Sequence, residues 1–579
     1  MRPPKQLRPK LPVVRVCGLA WLALILTASL EAQSGVDPAW PLADSAIVTE
    51  GQRGMVVSGH PIASRVGRDI MDRGGNAIDA AVATGFALAV VHPEAGNIGG
   101  GGFTLIRLAD GQMFALDYRE TAPARARRNM YIGRDGHPTD QSWTGHLSVG
   151  VPGSVAGLAE AHRRFGKLPW REVVEPAVQL ARDGFVIDPY RHRSILSDSA
   201  RLARFPGSAA QFLPHGAPPP VGTTWRQPDL ARTLEAIRDR GVAGFYRGPV
   251  AELIVAEMRR GNGIVTKSDL ARYRAIWRAP LGFSYRGHPI YSMPPASSGG
   301  VTLALIMNIM EGFEPLPSFG TPALLHLEAE AMRRAFIDRN RSLGDPAFVR
   351  NPIARLTSKS YAAKRRGEID EARATPTAAN PVGLREGPST THYSVVDEDG
   401  TAVSTTTTLN NSYGSAVTVT GAGFLLNDEM DDFTTAPGKP NNYGLVQGAA
   451  NAIAPGKRML SAMTPTIVLD SAGQLLMVLG TPGGPTIITQ VYHVISNVID
   501  HGMPLPRAIA MPRLHHQSLP DRIFLEQGGF APETMAALEG MGHAVVTRGY
   551  MGDVEAIVRT PRGWLGASDP RRGGGGAGR

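Results

Sequence analysis

The sequence predicts a large, loop-rich protein that combines helices and strands in layers. Its 579 residues exceed the usual size of one hydrophobic core, so we expect either two domains or one very large layered domain. The 67 glycines and 46 prolines indicate many loops, and 42% hydrophobic with 19% charged residues is ordinary for a globular protein. Helical patterns dominate residues 149–277, whereas strand patterns follow the linker from residue 391.

The first 32 residues have the pattern of a secretory signal peptide. Five basic residues precede an apolar run over residues 18–26, and Ala32 is a suitable last residue before cleavage. This run is shorter than the ~20 residues of a spanning helix, so an uncleaved anchor is the weaker interpretation. We expect a periplasmic or secreted protein with bacterial export and no stable membrane anchor after signal cleavage.

Composition excludes several classes of protein. Cys17, the only cysteine, lies within the signal, so the mature protein should have no disulfide, catalytic thiolate or cysteine metal site. The basic residues form no stripe with interleaved aromatics, which argues against a nucleic-acid partner. His515 and His516 have no second ligand cluster at suitable spacing, so we expect neither a metal nor a cofactor.

The elements before residue 120 follow from short-range patterns. A strand over Met55–Ser58 precedes a helix over residues 62–72, and Asn76 can cap a second, apolar helix that runs to about Val91 and should be buried. The glycine run over residues 99–102 then leads into strands at 103–106 and 113–118. It follows a helix, opens a strand and lacks a Gly-Lys-Ser/Thr ending, so it predicts a tight backbone crossing and not a nucleotide site.

Later segments predict helices at 170–183 and 323–341, a polar linker over 365–389, and strands at 391–396 and 402–409. Asp399-Gly400 is a hairpin signal between these two strands. The glycine-rich tail around residues 573–576 is expected to be disordered.

The hairpin brings two threonines close together. A two-residue turn would place Thr390 opposite Leu409, whereas a four-residue loop would place it opposite Thr407. Either register puts Thr408 within about one residue of Thr390. A second hydroxyl there can hold an attacking oxygen in one rotamer.

The segment from Ser389 to residue 394 is typical of an internal cleavage point, between Ser389 and Thr390. A threonine with a free α-amino group carries its own general base, so cleavage would create an amide-bond hydrolase.

Glu429 and Asp432 are three residues apart and can share one face toward an ammonium group, although such clusters are more often solvated loops or calcium sites. The amides of a Pro-Gly-Gly sequence at 482–484 can stabilise an oxyanion, although most such sequences are turns.

Together these residues resemble the γ-glutamyltransferase (glutathione hydrolase) family. The resemblance runs from about residue 46 to 571, and its markers lie at residues 74–81, 92–93, 99–103, 116–120, 389–394, 430–433, 482–484 and 567–571. It implies an α+β fold, the four-layer αββα sandwich of N-terminal nucleophile hydrolases, as one large domain. The implied division is a signal peptide (1–32), a large subunit (33–389) and a small subunit (390–579), which form a heterodimer after autoproteolysis.

The resemblance also implies a role for each site residue. The catalytic set comprises the nucleophile Thr390, its supporting hydroxyl Thr408, and the oxyanion-hole glycines Gly483 and Gly484. The substrate-binding set comprises Arg119 for the α-carboxylate, Asn410, Glu429 and Asp432 for the α-ammonium, the pair Ser461 and Ala462, and the lid residue Tyr443. The implied partners are a glutathione-like γ-glutamyl donor, with water or an amino acid or dipeptide as acceptor.

One departure from the family concerns the donor. Family members commonly have two adjacent serines at the α-carboxylate, whereas this chain has Ser461 and Ala462. The change weakens the argument for glutathione as the preferred donor and leaves a cephalosporin-acylase-like or polyglutamate-acting enzyme on the same fold as an alternative. A second alternative is an unprocessed, catalytically silent binding protein, which the intact threonine and glycine set argues against.

Overall fold

Two seven-stranded antiparallel sheets form the centre of the protein in the computed structural model, which describes residues 35–376, 390–436 and 438–579. The strands are β1 (Ile47–Gly51), β2 (Met55–Ser58), β3 (Gly101–Arg107), β4 (Met113–Asp117), β5 (Phe185–Val186), β6 (Thr224–Trp225), β7 (Ile276–Arg278), β8 (Leu281–Tyr285), β9 (His288–Ser292), β10 (Thr391–Val396), β11 (Ala402–Thr408), β12 (Thr466–Leu469), β13 (Leu475–Gly480), β14 (Leu514–His515), β15 (Ile523–Glu526), β16 (Val545–Arg548), β17 (Glu555–Thr560), β18 (Gly563–Ser568) and β19 (Gly575–Gly578). Sheet I has the order β19-β2-β10-β11-β3-β4-β7, and sheet II has the order β1-β18-β17-β13-β12-β9-β8.

Helices cover the outer faces of both sheets. They are α1 (Pro61–Asp72), α2 (Ala77–Val91), α3 (Ser154–Phe165), α4 (Trp170–Asp183), α5 (Pro189–Ser197), α6 (Ser199–Leu202), α7 (Pro206–Phe212), α8 (Pro228–Arg240), α9 (Val242–Tyr246), α10 (Gly248–Arg260), α11 (Lys267–Arg272), α12 (Gly299–Met310), α13 (Pro322–Ser342), α14 (Ile353–Leu356), α15 (Lys359–Arg366), α16 (Thr486–Ile499), α17 (Leu505–Ala510) and α18 (Pro532–Gly540). The helices predicted at 62–72, 170–183 and 323–341 are confirmed within a residue at each end.

Three apolar layers hold these elements together. Phe103 of sheet I and Val478 of sheet II belong to the layer between the two sheets. One outer layer packs α2, α3, α4 and α8 against Val395 and Val403 of sheet I, and the other packs α12, α13 and α16 against Val468 of sheet II. Because each sheet buries both of its faces, the result is the four-layer αββα sandwich that the sequence predicts.

Asn76 is confirmed as the N-cap of α2, and the structure adds a capping box there. The Asn76 side chain accepts hydrogen bonds from the backbone N–H groups of Ile78 and Asp79, and the Asp79 carboxylate accepts one from the Asn76 N–H. All 15 residues of this helix are buried. The absence of a polar face in the sequence therefore reflects a helix enclosed on every side.

The glycine run before β3 is confirmed as a tight backbone crossing. A Cβ at Gly99 would collide with the carbonyl oxygen of Leu425, and one at Gly100 would collide with that of Thr408. The Gly100 carbonyl accepts hydrogen bonds from the N–H groups of Gly153 and Ser154 at 2.7 and 3.0 Å. This close approach holds the chain against the end of β11, where Thr408 lies.

Both predicted registers of the β10–β11 hairpin are wrong by one residue. Thr391 pairs with Thr407, so Thr390 precedes the ladder directly opposite Thr408. The connection is a three-residue loop closed by a hydrogen bond from the Asp397 N–H to the Thr401 carbonyl, with Gly400 at φ 82°. The loop is one residue longer than a two-residue turn, and Gly400 adopts the left-handed conformation that closes it.

The prediction of a disordered glycine tail is also wrong. Residues 575–578 form β19 at the edge of sheet I, where Gly575 pairs with Ser58 and Gly578 pairs with Met55. A Cβ at Gly578 would collide with the Glu50 carbonyl. Glycine at position 578 is therefore required by close packing between strands.

Some predicted features lie outside the described residues, namely the signal peptide, Ser389 with most of the linker, and Pro437. Across the described ranges, none of the helices has both the length and the apolar character required to span a bilayer. In the same ranges, no three side chains of the His, Cys, Asp and Glu types come together as metal ligands.

Candidate active site

Thr390 and Thr408 lie side by side at one end of sheet I. Their hydroxyl oxygens are 2.9 Å apart, and both residues are buried. The Asn410 N–H donates to the Thr408 hydroxyl oxygen at 2.8 Å, and the Asn97 side chain donates to the Thr408 carbonyl at 2.9 Å. Because Thr408 is held from both sides, its hydroxyl is a fixed hydrogen-bond partner for the Thr390 oxygen.

The backbone at Thr390 is strained. Its φ of 79° lies in the left-handed region, which β-branched residues rarely adopt. Such a conformation costs about 1 to 3 kcal/mol and persists only where the surrounding structure imposes it. The strain therefore lies at the residue that would become the new N-terminus.

A buried ionic cluster occupies the same cavity. The Arg119 Nη1 atom lies 2.6 Å from Glu429 Oε2, and Nη2 donates to the Asp432 carboxylate. Glu429 and Asp432 belong to one turn of 3₁₀ helix, which brings both carboxylates to the same side. Asn410 completes this wall and donates to the Asp428 carbonyl at 3.1 Å.

The cluster has more carboxylates than cations. Burial raises the pKa of Glu429 well above its usual value and raises that of Glu120 to about 8, with Arg119 opposing both shifts. Burial also raises the pKa of Asp432, against the opposing charges of Arg119 and Arg339. Because the carboxylates outnumber the cations close to them, an additional ammonium group would be favoured here.

Gly483 and Gly484 lie between β13 and α16, with φ angles of 134° and 56°. Gly484 lines the cavity with Thr390, whereas Gly483 lies behind it against Thr486 and Gln490. Neither glycine N–H donates a hydrogen bond to another described residue. The positive end of the α16 dipole adds to the attraction of this corner for negative charge.

Tyr443 covers this corner. A Cβ at Gly484 would lie 2.8 Å from its ring, and its hydroxyl donates to the Asn410 carbonyl at 3.0 Å. Gln517 donates to the Tyr443 carbonyl at 3.0 Å and holds the backbone of the loop in place. The side chain is buried, so it separates the cavity from solvent on this side.

The empty space among the residues that line this cavity, including the part that is open to solvent, is about 330 Å³. With the exception of Gly483 and of Ser389, which lies outside the described residues, the predicted site residues line it: Arg119, Thr390, Thr408, Asn410, Glu429, Asp432, Tyr443, Ser461, Ala462 and Gly484. A hydroxyl nucleophile, free amides and a charged cluster in one cavity suit acyl transfer from a substrate with a charged head group.

Comparison with known proteins gives the family. A sequence model of the family described as Gamma-glutamyltranspeptidase matches residues 63–579. The chain belongs to the γ-glutamyltranspeptidase family. It is 44% identical to the glutathione hydrolase proenzyme of Escherichia coli (strain K12), over 95% of this chain and 97% of that protein.

Solved structures related to this γ-glutamyltranspeptidase-family chain agree with its fold. The cephalosporin acylase from Bacillus halodurans has a TM-score of 0.81 at 28% identity, over 92% of this chain and 97% of that chain. A chain of the Helicobacter pylori γ-glutamyltranspeptidase has a TM-score of 0.56 at 42% identity, over 57% of this chain and 95% of that one. Sequence identity is therefore higher to the transpeptidase than to the acylase.

Residues 461 and 462 form another part of the cavity wall in this γ-glutamyltranspeptidase-family member. The Ser461 hydroxyl accepts a hydrogen bond from the Met463 N–H at 3.0 Å, and the neighbouring Ala462 presents only a methyl group. Of these two residues, Ser461 alone brings a side-chain hydroxyl to the wall.

Sequence reasoning missed Arg339 in the cavity of this γ-glutamyltranspeptidase-family chain. It lies near the end of α13 and is 2% exposed. Its neighbour Arg341 is exposed. Nothing in the local pattern separates a buried arginine from a solvated one at the end of an amphipathic helix, so no sequence signal could have identified it.

The apolar residues Leu445, Met463, Pro485 and Ile487 complete the lining and were also not predicted.

Proposed function

We propose that the protein is an autoprocessed threonine amidohydrolase and acyltransferase that cleaves γ-glutamyl amide bonds in glutathione and related donors. Membership of the γ-glutamyltranspeptidase family supports this function. The observation that carries it is the 2.9 Å contact between the Thr390 and Thr408 hydroxyls, in the same cavity as the charged pair of Arg119 and Glu429. This cavity combines a nucleophile with groups that suit an amino-acid head group.

Maturation begins when the Thr390 hydroxyl attacks the Ser389 carbonyl. The C–N bond breaks, an ester forms on the Thr390 oxygen, and the hydroxyl proton passes to the released amine. Water then hydrolyses the ester to a Ser389 carboxylate and a free Thr390. The strained φ of Thr390 supports this step, since cleavage of the peptide bond releases the strain. The relative from Escherichia coli is likewise described as a proenzyme.

The proposed subunits, 33–389 and 390–579, should remain together as a heterodimer. Strands β10 and β11 follow the cleavage point, yet β10 pairs with β2 and β11 pairs with β3, which both precede it. Separation would break these two ladders and expose the apolar layers on both faces of sheet I. The cavity would be lost as well, because Arg119 precedes the cleavage point and Glu429 follows it.

Donor binding uses both signs of charge in the cluster. The α-carboxylate binds Arg119, whose planar guanidinium suits a carboxylate, together with Ser461. The α-ammonium binds Asn410, Glu429 and Asp432. A zwitterionic head group inserted here compensates each buried charge, which a neutral acyl group could not do.

The chemical step follows from the same geometry. With its own amine as base, the Thr390 hydroxyl attacks the γ-carbonyl, and the amides of Gly483 and Gly484 stabilise the oxyanion. The C–N bond of the donor breaks, and the departing amine takes the proton. The γ-glutamyl ester on Thr390 is then attacked by water, or by the amine of an amino acid or dipeptide, which restores the hydroxyl.

Export belongs to the same proposal. The pattern of residues 1–32 supports cleavage after Ala32 and a periplasmic or secreted mature protein. No cysteine remains in the mature chain, so an oxidising compartment would not change its covalent structure.

A denaturing gel tests the proposal directly. We expect two bands from the wild type, one band from Thr390→Ala, and two bands from the control Thr391→Val. The control is matched because Thr391 is the adjacent buried threonine, and its hydroxyl has no partner among the described residues. A single wild-type band after long incubation would contradict the mechanism and support the silent binding protein.

A second candidate function is an acylase for glutaryl or polyglutamate substrates. The fold shared with the cephalosporin acylase and the missing hydroxyl at Ala462 favour it. Arg119 and Asp432 favour the γ-glutamyl donor instead, because a glutaryl group has no ammonium for the carboxylate. Side-by-side turnover of a γ-glutamyl anilide and a glutaryl anilide separates the two, and faster glutaryl turnover would overturn the first proposal.

A further inference from the structure

Arg339 is a buried cation that forms no ion pair with any of the described residues. Its side chain forms no salt bridge with any described residue, although it is 2% exposed. Burial lowers the pKa of Arg339 to about 10, and the charge of Asp432 opposes this shift only in part. A buried guanidinium is costly unless an anion accompanies it, so this position is suited to an anion that arrives with a ligand.

Neutral groups hold the guanidinium in one orientation. Nε donates to the Ser298 hydroxyl at 2.8 Å, and Nη1 donates to the side-chain oxygens of Asn340 and Gln447 at 2.7 and 3.3 Å. Nη2 donates to no described residue, although Arg339 lines the cavity. Two donor hydrogens of a fixed fork therefore have no acceptor among the described residues, on a side chain that lines the cavity.

The support behind Arg339 continues to the wall that contains Ala462. The Ser298 hydroxyl, which accepts from Arg339, donates in turn to the Ser461 carbonyl at 2.6 Å, and the Ser298 N–H donates to the same carbonyl at 2.8 Å. Arg339 and the 461–462 backbone are thus held by one residue. Their relative position is fixed, which favours a shared ligand group.

The guanidinium of Arg119, in contrast, is already engaged. Both terminal nitrogens of Arg119 face carboxylates, Nη1 that of Glu429 and Nη2 that of Asp432. A carboxylate that binds Arg119 must compete with these two anions. Arg339 offers the second positive charge of the cavity without such competition.

We propose that Arg339 is a substrate-binding residue that shares the donor's α-carboxylate with Arg119 and Ser461, in place of the hydroxyl that Ala462 lacks. This inference rests on the proposed function and names a further specificity residue for it. The two guanidiniums hold the carboxylate from two sides, while Glu429 and Asp432 remain available to the ammonium. The site therefore selects acyl groups that carry a carboxylate at this position.

The test compares three anilides of one chain length. The γ-glutamyl anilide carries both charges, the 4-aminobutyryl anilide lacks the α-carboxylate, and the glutaryl anilide lacks the ammonium. We expect Arg339→Gln to raise KM for the γ-glutamyl and glutaryl anilides about 10- to 100-fold, the worth of one hydrogen bond to a charged group. Turnover number for the γ-glutamyl anilide, and kcat/KM for the 4-aminobutyryl anilide, should stay within about 2-fold of wild type, an effect below one neutral hydrogen bond.

Two further variants complete the comparison. Arg339→Lys keeps the charge but loses the planar fork, so it should recover part of the loss in KM. Arg341→Gln is the matched control, because Arg341 is an exposed arginine two positions along the same helix. Each variant is first examined by denaturing gel, so that only processed enzyme is compared.

Direct binding makes the test independent of turnover. By calorimetry on the same preparations, Arg339→Gln should weaken binding of L-glutamate and leave that of 4-aminobutyrate unchanged. A parallel loss for ligands with and without the carboxylate would show a structural role and overturn the inference, as would no loss at all or no glutamate binding by the wild type. A wild type that binds glutamate but turns over no γ-glutamyl anilide would instead overturn the proposed function alone.

Discussion

The guanidinium of Arg119 and the carboxylate of Glu429 form a buried ion pair, with Nη1 2.6 Å from Oε2. The two residues lie on opposite sides of the proposed cleavage point and meet only in the folded chain. Each charge compensates the other in the folded chain. A zwitterionic ligand can replace this pairing, because its carboxylate can pair with Arg119 and its ammonium with Glu429.

The proposed contact between Asp432 and the donor's α-ammonium predicts the effect of Asp432→Asn. The amide cannot supply the negative charge, so KM for a γ-glutamyl anilide should rise about 10- to 100-fold, as for a lost hydrogen bond to a charged group. KM for a glutaryl anilide should not rise, because that donor has no ammonium. Steady-state kinetics with both donors measure this difference.

Asp431→Asn is the control for this prediction. Asp431 is the adjacent carboxylate, but it accepts from the Ser142 hydroxyl and the Asn442 N–H and does not line the cavity. Replacement of its carboxylate should change KM for the γ-glutamyl and glutaryl anilides to the same extent. Equal effects of Asp432→Asn on the two donors would show that Asp432 does not contact the ammonium.

The hydroxyl of Thr408 predicts a loss of rate. Thr408→Val keeps the shape of the side chain but removes the partner of the Thr390 oxygen. We expect kcat for a γ-glutamyl anilide to fall about 2- to 13-fold, the worth of one neutral hydrogen bond, with little change in KM. Thr407→Val is the control, because the Thr407 hydroxyl donates to the Gly101 carbonyl instead. An unchanged kcat in Thr408→Val would exclude the supporting role.

The missing hydroxyl at Ala462 predicts a gain in affinity. Ala462→Ser should lower KM for a γ-glutamyl anilide about 2- to 13-fold, because a neutral hydrogen bond to the α-carboxylate is restored. If Arg339 shares that carboxylate, the gain should be larger in an Arg339→Gln background, which is the non-additivity expected of two contacts to one group. An unchanged or higher KM in both backgrounds would show that residue 462 does not face the carboxylate.

Glu328 predicts how stability depends on pH. Burial raises the pKa of this carboxyl from 4.5 to about 8, although the Tyr492 hydroxyl donates to it at 3.1 Å. The folded state therefore retains a proton that the unfolded state releases, so the free energy of unfolding is greatest below about pH 4.5 and falls as pH rises toward 8. At pH 9 the whole penalty is present.

Glu328→Gln removes this penalty because the amide is neutral at every pH. At pH 9 we expect a higher Tm than wild type and a free energy of unfolding greater by on the order of 1 to 3 kcal/mol. At pH 5 the two proteins should have a similar Tm. The exposed Glu533→Gln should show no such difference between the two pH values. A pH-independent effect of Glu328→Gln on Tm would contradict the assignment.

Short-range patterns predicted much of the fold. The capping box at Asn76 and the helix at 170–183 involve residues close in sequence, whose preferences are expressed locally. The glycine run at 99–102 was also interpreted correctly, since its position between a helix and a strand excludes a phosphate loop. Thr390, Arg119 and the acidic turn were identified from motifs that the family shares.

Longer-range features required the folded structure. The register that places Thr390 opposite Thr408 depends on Gly400 and on the Asp397 hydrogen bonds, which lengthen the loop by one residue. The tail at 575–578 is ordered only because β2 provides an edge for it. Neither the partner of an edge strand nor the exact length of a loop is encoded in local periodicity.

Residue types and their spacing were thus sufficient to predict the layered fold and most of the residues that line the cavity, because each leaves a local or family-wide pattern. Tertiary packing alone decided that Thr408 lies 2.9 Å from Thr390 and that Arg339 faces the cavity while Arg341 faces solvent. The physical reason is that burial and contact depend on which elements pack together. Two arginines on one helix are alike in sequence, and only the surroundings of each determine whether its charge can bind a substrate.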